Sequence, residues 1–148
     1  MLLIEPEALL DLGGTDLGTS PWFEIDQGRI DKFADATEDH QWIHVDATRA
    51  AEGQFGATIA HGYLVLSLIP ALLHELLRFS PLKQALNYGV EKLRFTLPVL
   101  VGSRIRVAAQ LVSAERRGDL YVYRVRCEVE VQGEARPAIV AELLFGVM

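Results

Sequence analysis

The sequence predicts an α+β fold in which a long apolar helix lies on the dry face of an antiparallel sheet, with a shorter helix ahead of it. Three observations point there. The stretch from Gly62 to about Leu77 is apolar nearly all round, the mark of a buried helix. Beyond Pro81 the hydrophobic period changes from helical to two and stays there to the C-terminus, as strands require. Turn signals at Pro98 to Gly102, Arg117-Gly118-Asp119 and Gln132-Gly133 divide that half into separate runs, favouring antiparallel hairpins. The 148 residues form one expected domain, 1–148, with no repeat, low-complexity segment or linker, a length sufficient to bury a core.

Along the chain, a polar Gly-rich lead, Gly13 to Ser20, precedes Trp22 to Ile25, where Phe23 and Ile25 share a side as in a short strand. From Gln27 to about Glu38 the positions Ile30, Phe33, Ala34 and Thr37 keep helical spacing, and Asp26 is available as N-cap. In the apolar helix, Pro70 removes the bond to the carbonyl of Leu66 and should bend the axis. Next, Leu93, Phe95 and Leu97 alternate with Lys92, Arg94 and Thr96, and Ile105, Val107, Ala109 and Leu111 with Arg104, Arg106, Ala108 and Gln110. From Leu120 to Val131 one face carries Tyr121, Tyr123, Val125, Cys127, Val129 and Val131 against Arg124, Arg126, Glu128 and Glu130. The last strand, about Ala138 to Val147, is apolar on both faces and should be central or covered.

Composition narrows the function. Half the residues are hydrophobic and 23% are charged, which excludes a disordered chain. A net charge of -6 argues against nucleic acid as a partner. Lys92, Arg94, Arg104, Arg106, Arg116 and Arg117 supply local positive charge, either a solvated strand face or a place for the phosphates of a small anion. The apolar helix is no membrane span: sixteen residues cover roughly 24 Å against a hydrocarbon core of about 30 Å. The start of the chain lacks a signal peptide's positive leader and cleavage site, so a cytoplasmic address is expected. Cys127, the only cysteine, precludes an internal disulfide and reads as a packed thiol.

The densest cluster of titratable groups is Thr37-Glu38-Asp39-His40-Gln41-Trp42-Ile43-His44-Val45-Asp46. A carboxylate and an imidazole five residues apart in a loop can converge on one water, and partial burial brings their pKa values nearer neutrality. A second cluster, Gly56 to Tyr63, leads into the apolar helix. The helix start offers unpaired N–H groups to a developing oxyanion, and Gly62 permits close backbone approach; His61 reads as a capping or packing residue. No metal site is expected, because no two histidines stand in the H-E-x-x-H arrangement of a metalloprotease: His40 and His44 are four apart, but Gln41 takes the place of the glutamate. No phosphate loop, nucleophile elbow or dinucleotide fingerprint occurs.

These residues resemble the MaoC-like, or R-specific, enoyl-CoA hydratases, and within them the NodN-like branch. The resemblance rests on Phe33-Ala34, then Thr37 to His44, Gly56, Thr58-Ile59-Ala60-His61-Gly62, Ser67, Asn87-Tyr88-Gly89, Arg94-Phe95 and Pro98-Val99. The family's signature runs Asp, any residue, Asn, Pro, aliphatic, His; here Gln41 and Trp42 replace Asn and Pro, while Asp39 and His44 stand at the two catalytic positions.

The resemblance implies a hot-dog fold, an antiparallel sheet wrapped around the central helix, and a homodimer joined sheet edge to sheet edge. It implies syn addition of water to a trans-2-enoyl-CoA, giving a (3R)-hydroxyacyl-CoA, with coenzyme A part of the substrate and no separate cofactor. Asp39 and His44 would hold the water, the Gly62 N–H would form the oxyanion hole, and Ser67 and His61 would support the site. Asn87, Tyr88 and Arg94 could line the entrance for the acyl-CoA thioester. The alternatives are a 3-hydroxyacyl-ACP dehydratase running the reaction backward, a hot-dog thioesterase, and a non-catalytic acyl-CoA-binding protein that has kept the fold.

Overall fold

The computed structural model describes residues 1–148. A sheet of six strands curls around the helix α4 (Gly62–Leu73). Its strands are β2 (Asp16–Thr19), β3 (Phe23–Glu24), β5 (Ala85–Phe95), β6 (Arg104–Arg117), β7 (Leu120–Val131) and β8 (Ile139–Val147). They run in the order β2-β6-β7-β8-β5, and β3 follows β2 along the same edge of β6. Every pairing in this sheet is antiparallel. The alternating runs form the core where they meet α4: Val107, Leu111, Val125, Cys127, Val129 and Ile139 are buried against Leu64, Val65, Ile69 and Leu73. β8 lies between β7 and β5 and is buried along most of its length, as its two apolar faces require. No helix is long and apolar enough to cross a membrane.

Three elements differ from the sequence reading. The apolar helix stops at Leu73, and Leu77 instead opens β4 (Leu77–Phe79), which pairs in parallel with β1 (Leu2–Ile4) as a separate two-stranded sheet. Leu76 and Leu77 are buried as the apolar pattern demands, but burial alone does not distinguish a helix end from a short covered strand. The Gly-rich lead contains a real strand, β2, whose bulge at Leu17 is followed by Gly18 at φ 81. Finally, Pro98 to Gly102 is not a hairpin turn. β5 begins at Ala85 rather than near Lys92 and pairs with β8, so that segment carries the chain across to β6. The β6–β7 hairpin does turn at Gly118, which takes φ 62.

The helices α1 (Gln27–Thr37), α2 (Trp42–Val45) and α3 (Ala47–Ala51) fill the connection between β3 and α4. Asp26 caps α1 as expected, its carboxylate accepting from the Arg29 N–H at 2.7 Å. Glu38 ends α1 in the left-handed region at φ 62, reversing the chain so that Asp39 returns toward the start of α4.

Candidate active site

His44 is the buried side chain of α2, with 6% of its surface exposed. Its Nδ1 lies 2.7 Å from the carbonyl oxygen of Ile59. A carbonyl only accepts, so Nδ1 carries the proton and Nε2 keeps its lone pair. Burial lowers the pKa of His44 below the ordinary imidazole value, outweighing the Ile59 hydrogen bond; His61 lowers it further, and Asp39 opposes. His44 therefore stands as a neutral base in the wall of a cavity of about 430 Å³, together with Gly62, Tyr63, Phe95, Val99 and Ile139.

A polar tether fixes α2. Gln27, in the first turn of α1, donates from Nε2 to the His44 carbonyl at 2.8 Å, while its Oε1 accepts from the Thr58 hydroxyl at 2.5 Å. Thr58 is fully enclosed. One glutamine thus joins α1, α2 and the strand-like segment before α4, whose Ile59 N–H returns to the Ile43 carbonyl at 3.0 Å. Gln27 and Thr58 were not singled out as working residues from the sequence: they are 31 residues apart, and only the fold makes them neighbours.

His61 precedes α4 and is 2% exposed. Its ring sits between Phe33, with centroids 4.9 Å apart, and His44, 3.8 Å away at an interplanar angle of 24°. Nε2 donates to the backbone carbonyl of Asp39 at 2.9 Å, leaving Nδ1 buried without a partner. Asp39 itself is exposed. Polar side-chain atoms of Asp39, His44 and His61 lie within 4.8 Å of one another, so these predicted residues do come together. The cluster is better suited to hold water than a cation: the in-plane lone pairs of two nearly parallel, stacked imidazoles do not converge on one ion. His40 turns away, pairing with Asp35 at 2.9 Å in solvent.

At the start of α4 the N–H groups of Gly62 and Tyr63 have no protein acceptor, as the first turn of a helix provides. Gly62 has no room for a side chain, because a Cβ there would stand 2.9 Å from the Phe95 ring. Ser67 lies elsewhere. Its hydroxyl donates to the Tyr63 carbonyl at 2.6 Å, and with Asn87, Gly89 and Pro70 it lines a separate groove of about 240 Å³ farther along α4. Tyr88 accepts from Arg117 at 3.2 Å, and Arg94 donates to the Leu93 carbonyl; neither faces the His44 cavity.

Comparison with known proteins agrees with this arrangement. The family described as "MaoC like domain" matches residues 11–133. The 3-hydroxyacyl-thioester dehydratase Z of Mycobacterium tuberculosis is 49% identical over 140 residues, covering 92% of this chain and 93% of that protein. Nodulation protein N of Rhizobium leguminosarum bv. viciae is 45% identical over 131 residues, 86% of this chain and 81% of its own length. Among solved structures, the R-hydratase PhaJ1 of Pseudomonas aeruginosa superposes with a TM-score of 0.74 at 26% identity, covering 90% of this chain and 79% of that one. The sheet curled around α4 is accordingly the hot-dog fold, and the chain belongs to the MaoC-like family of hydratases and dehydratases.

Proposed function

We propose that the protein is a 3-hydroxyacyl-thioester hydro-lyase that interconverts a (3R)-3-hydroxyacyl-CoA with a trans-2-enoyl-CoA and water. The observation that carries the proposal is that the Asp39 carboxylate lies beside neutral His44, which shares one apolar cavity with Gly62 and Tyr63 and their unpaired N–H groups at the start of α4. The sequence alone puts hydration first. The 49% identity to a dehydratase, against 32% to an (R)-specific enoyl-CoA hydratase, favours naming the reaction as elimination, the direction of the dehydratase alternative the sequence left open. The same acid–base pair serves both directions by microscopic reversibility.

In the hydration direction, the thioester carbonyl accepts from the Gly62 N–H at the positive end of α4. Water is held between the Asp39 carboxylate and His44 Nε2. As its oxygen bonds to C3, the pair takes one proton and the π electrons move toward the carbonyl oxygen, giving an enolate. Return of a proton to C2 restores the carbonyl, so the net change is addition of one water. No separate cofactor is needed, because the thioester carries its own activation.

The proposal includes a homodimer and a cytoplasmic setting. β5 is an eleven-residue edge strand, and Leu86, Tyr88 and Val90 on it are all substantially exposed; an open edge of that length invites pairing with a second copy. The test is elimination from (3R)- and (3S)-3-hydroxybutyryl-CoA, followed by the appearance of enoyl absorbance. Turnover of the 3R isomer alone is expected, and turnover of neither or of 3S alone overturns the reading. Running the same acyl group on an acyl-carrier protein compares the carriers, and a higher kcat/KM there would replace CoA with carrier protein in the assignment.

A further inference from the structure

We propose that Phe95 reads the substrate at its α-carbon, making the enzyme selective for thioesters unbranched at C2. The inference rests on the hydro-lyase reading above and adds a specificity residue to it. Phe95 lies at the end of β5, with its ring against the backbone of Gly62. The absent Cβ of Gly62 would stand 2.9 Å from both Cδ1 and Cε1 of that ring, well inside the roughly 3.5–4.0 Å separation of non-bonded carbons. The aromatic wall therefore begins where the N–H group that receives the carbonyl oxygen is offered. C2 of a bound thioester is two bonds from that oxygen. The ring stands in the same cavity wall, within reach of a substituent on that carbon.

The backbone of β5 turns Phe95 to this side. Val90 pairs opposite Leu143 and Phe95 opposite Ile139, so both face the helix, although residues five apart in a regular strand face opposite ways. The inversion comes from a bulge: Glu91 to Arg94 spans three steps where β8 takes two, from Glu142 to Val140. Inside it Lys92 adopts φ 51, a left-handed conformation unusual for lysine. Bulges re-aim side chains, and this one points an aromatic ring at the pocket instead of solvent. Tyr63 holds the ring from the other side in an edge contact, with centroids 5.8 Å apart and planes at 84°. Phe95 nevertheless remains 48% exposed, leaving one flank free to meet a ligand.

A methyl group on C2 needs space that the ring occupies, whereas a methyl on C3 lies in the alkene plane one carbon farther from the ring. The test compares hydration of crotonyl-CoA, 2-methylcrotonyl-CoA and 3-methylcrotonyl-CoA by wild type, Phe95→Leu and Phe95→Ala, with folding checked by circular dichroism. Each variant is normalised to its own crotonyl-CoA rate. The kcat/KM ratio of the 2-methyl to the unbranched ester should rise about tenfold or more in Phe95→Ala, the scale of discrimination by one methylene-sized group. A smaller rise is expected in Phe95→Leu, and the 3-methyl ratio should stay level. An unmoved 2-methyl ratio, or an equal rise for both branched esters, overturns the proposal while leaving the hydro-lyase reading intact. Failure of wild type to hydrate crotonyl-CoA overturns that reading itself.

Discussion

At the residue scale, two backbone carbonyls decide the chemistry of the two buried imidazoles. Ile59 fixes the proton of His44 on Nδ1, and Asp39 fixes that of His61 on Nε2. Burial keeps His44 neutral below the usual imidazole range, so the base survives to lower pH than a solvated histidine near 6.5. The acid limb of kcat/KM for hydration should accordingly bend below pH 6.5, with activity lost as the pH falls through the depressed pKa and His44 takes a proton. A pH–rate profile measures this, and a limb above 6.5 would contradict it. His61 holds the Asp39 carbonyl, and in the proposed reaction it acts through Asp39 as a positioning residue. Replacing it with Phe keeps a ring beneath His44 but removes the Nε2–H donor, and kcat should fall by about tenfold or more because small displacements of reacting groups are costly. His61→Gln, which restores a donor of similar reach, should recover part of the loss, whereas equal kcat in both variants would refute the clamp. The nearness of Asp39, His44 and His61 to one another, and of His61 to the start of α4 at Gly62, was legible in the sequence because each of the two clusters is one short segment. The Gln27–Thr58 tether was not, since its partners meet only after folding. Thr58→Val leaves Gln27 Oε1 without its donor and should cost about 1–3 kcal/mol in chemical denaturation.

At the element scale, periodicity located α1, β6, β7 and β8, because each buries one regular face or, for β8, two. It failed where the chain departs from a regular period. β5 carries two register shifts, between Asn87 and Gly89 and between Glu91 and Arg94, so alternation does not carry through from Ala85, although it holds over Leu93, Phe95 and Leu97. The run after α4 is apolar whether helical or extended, and only the pairing with β1 settles it. The Phe95 ring of β5 lies close against the backbone of Gly62 at the start of α4. Gly62→Ala should therefore reduce kcat strongly by pushing Phe95 off the helix start. Adding Phe95→Ala should recover part of that loss, a non-additivity read from a double-mutant cycle. Fully additive effects would mean that the ring and the glycine do not act on one another.

At the scale of the whole molecule, hydropathy pointed to one core, and the family resemblance supplied the wrapped sheet. The expected homodimer is a matter of edges. One side of β6 is covered by β2 and β3 in succession, while β5 has β8 on one side and an open edge on the other. Sedimentation velocity should give a dimer for wild type. Val90→Lys, which places a charge on the exposed apolar stretch of β5, should shift the protein toward monomer. A monomeric wild type would remove the edge-pairing account without touching the chemistry of Asp39 and His44. That pair is put to the test by hydration of crotonyl-CoA, followed as loss of enoyl absorbance in wild type, Asp39→Asn and His44→Ala. Measurable turnover by wild type and a loss of about a hundredfold or more in each folded variant are expected; wild-type rates in either variant would refute the acid–base role of Asp39 and His44.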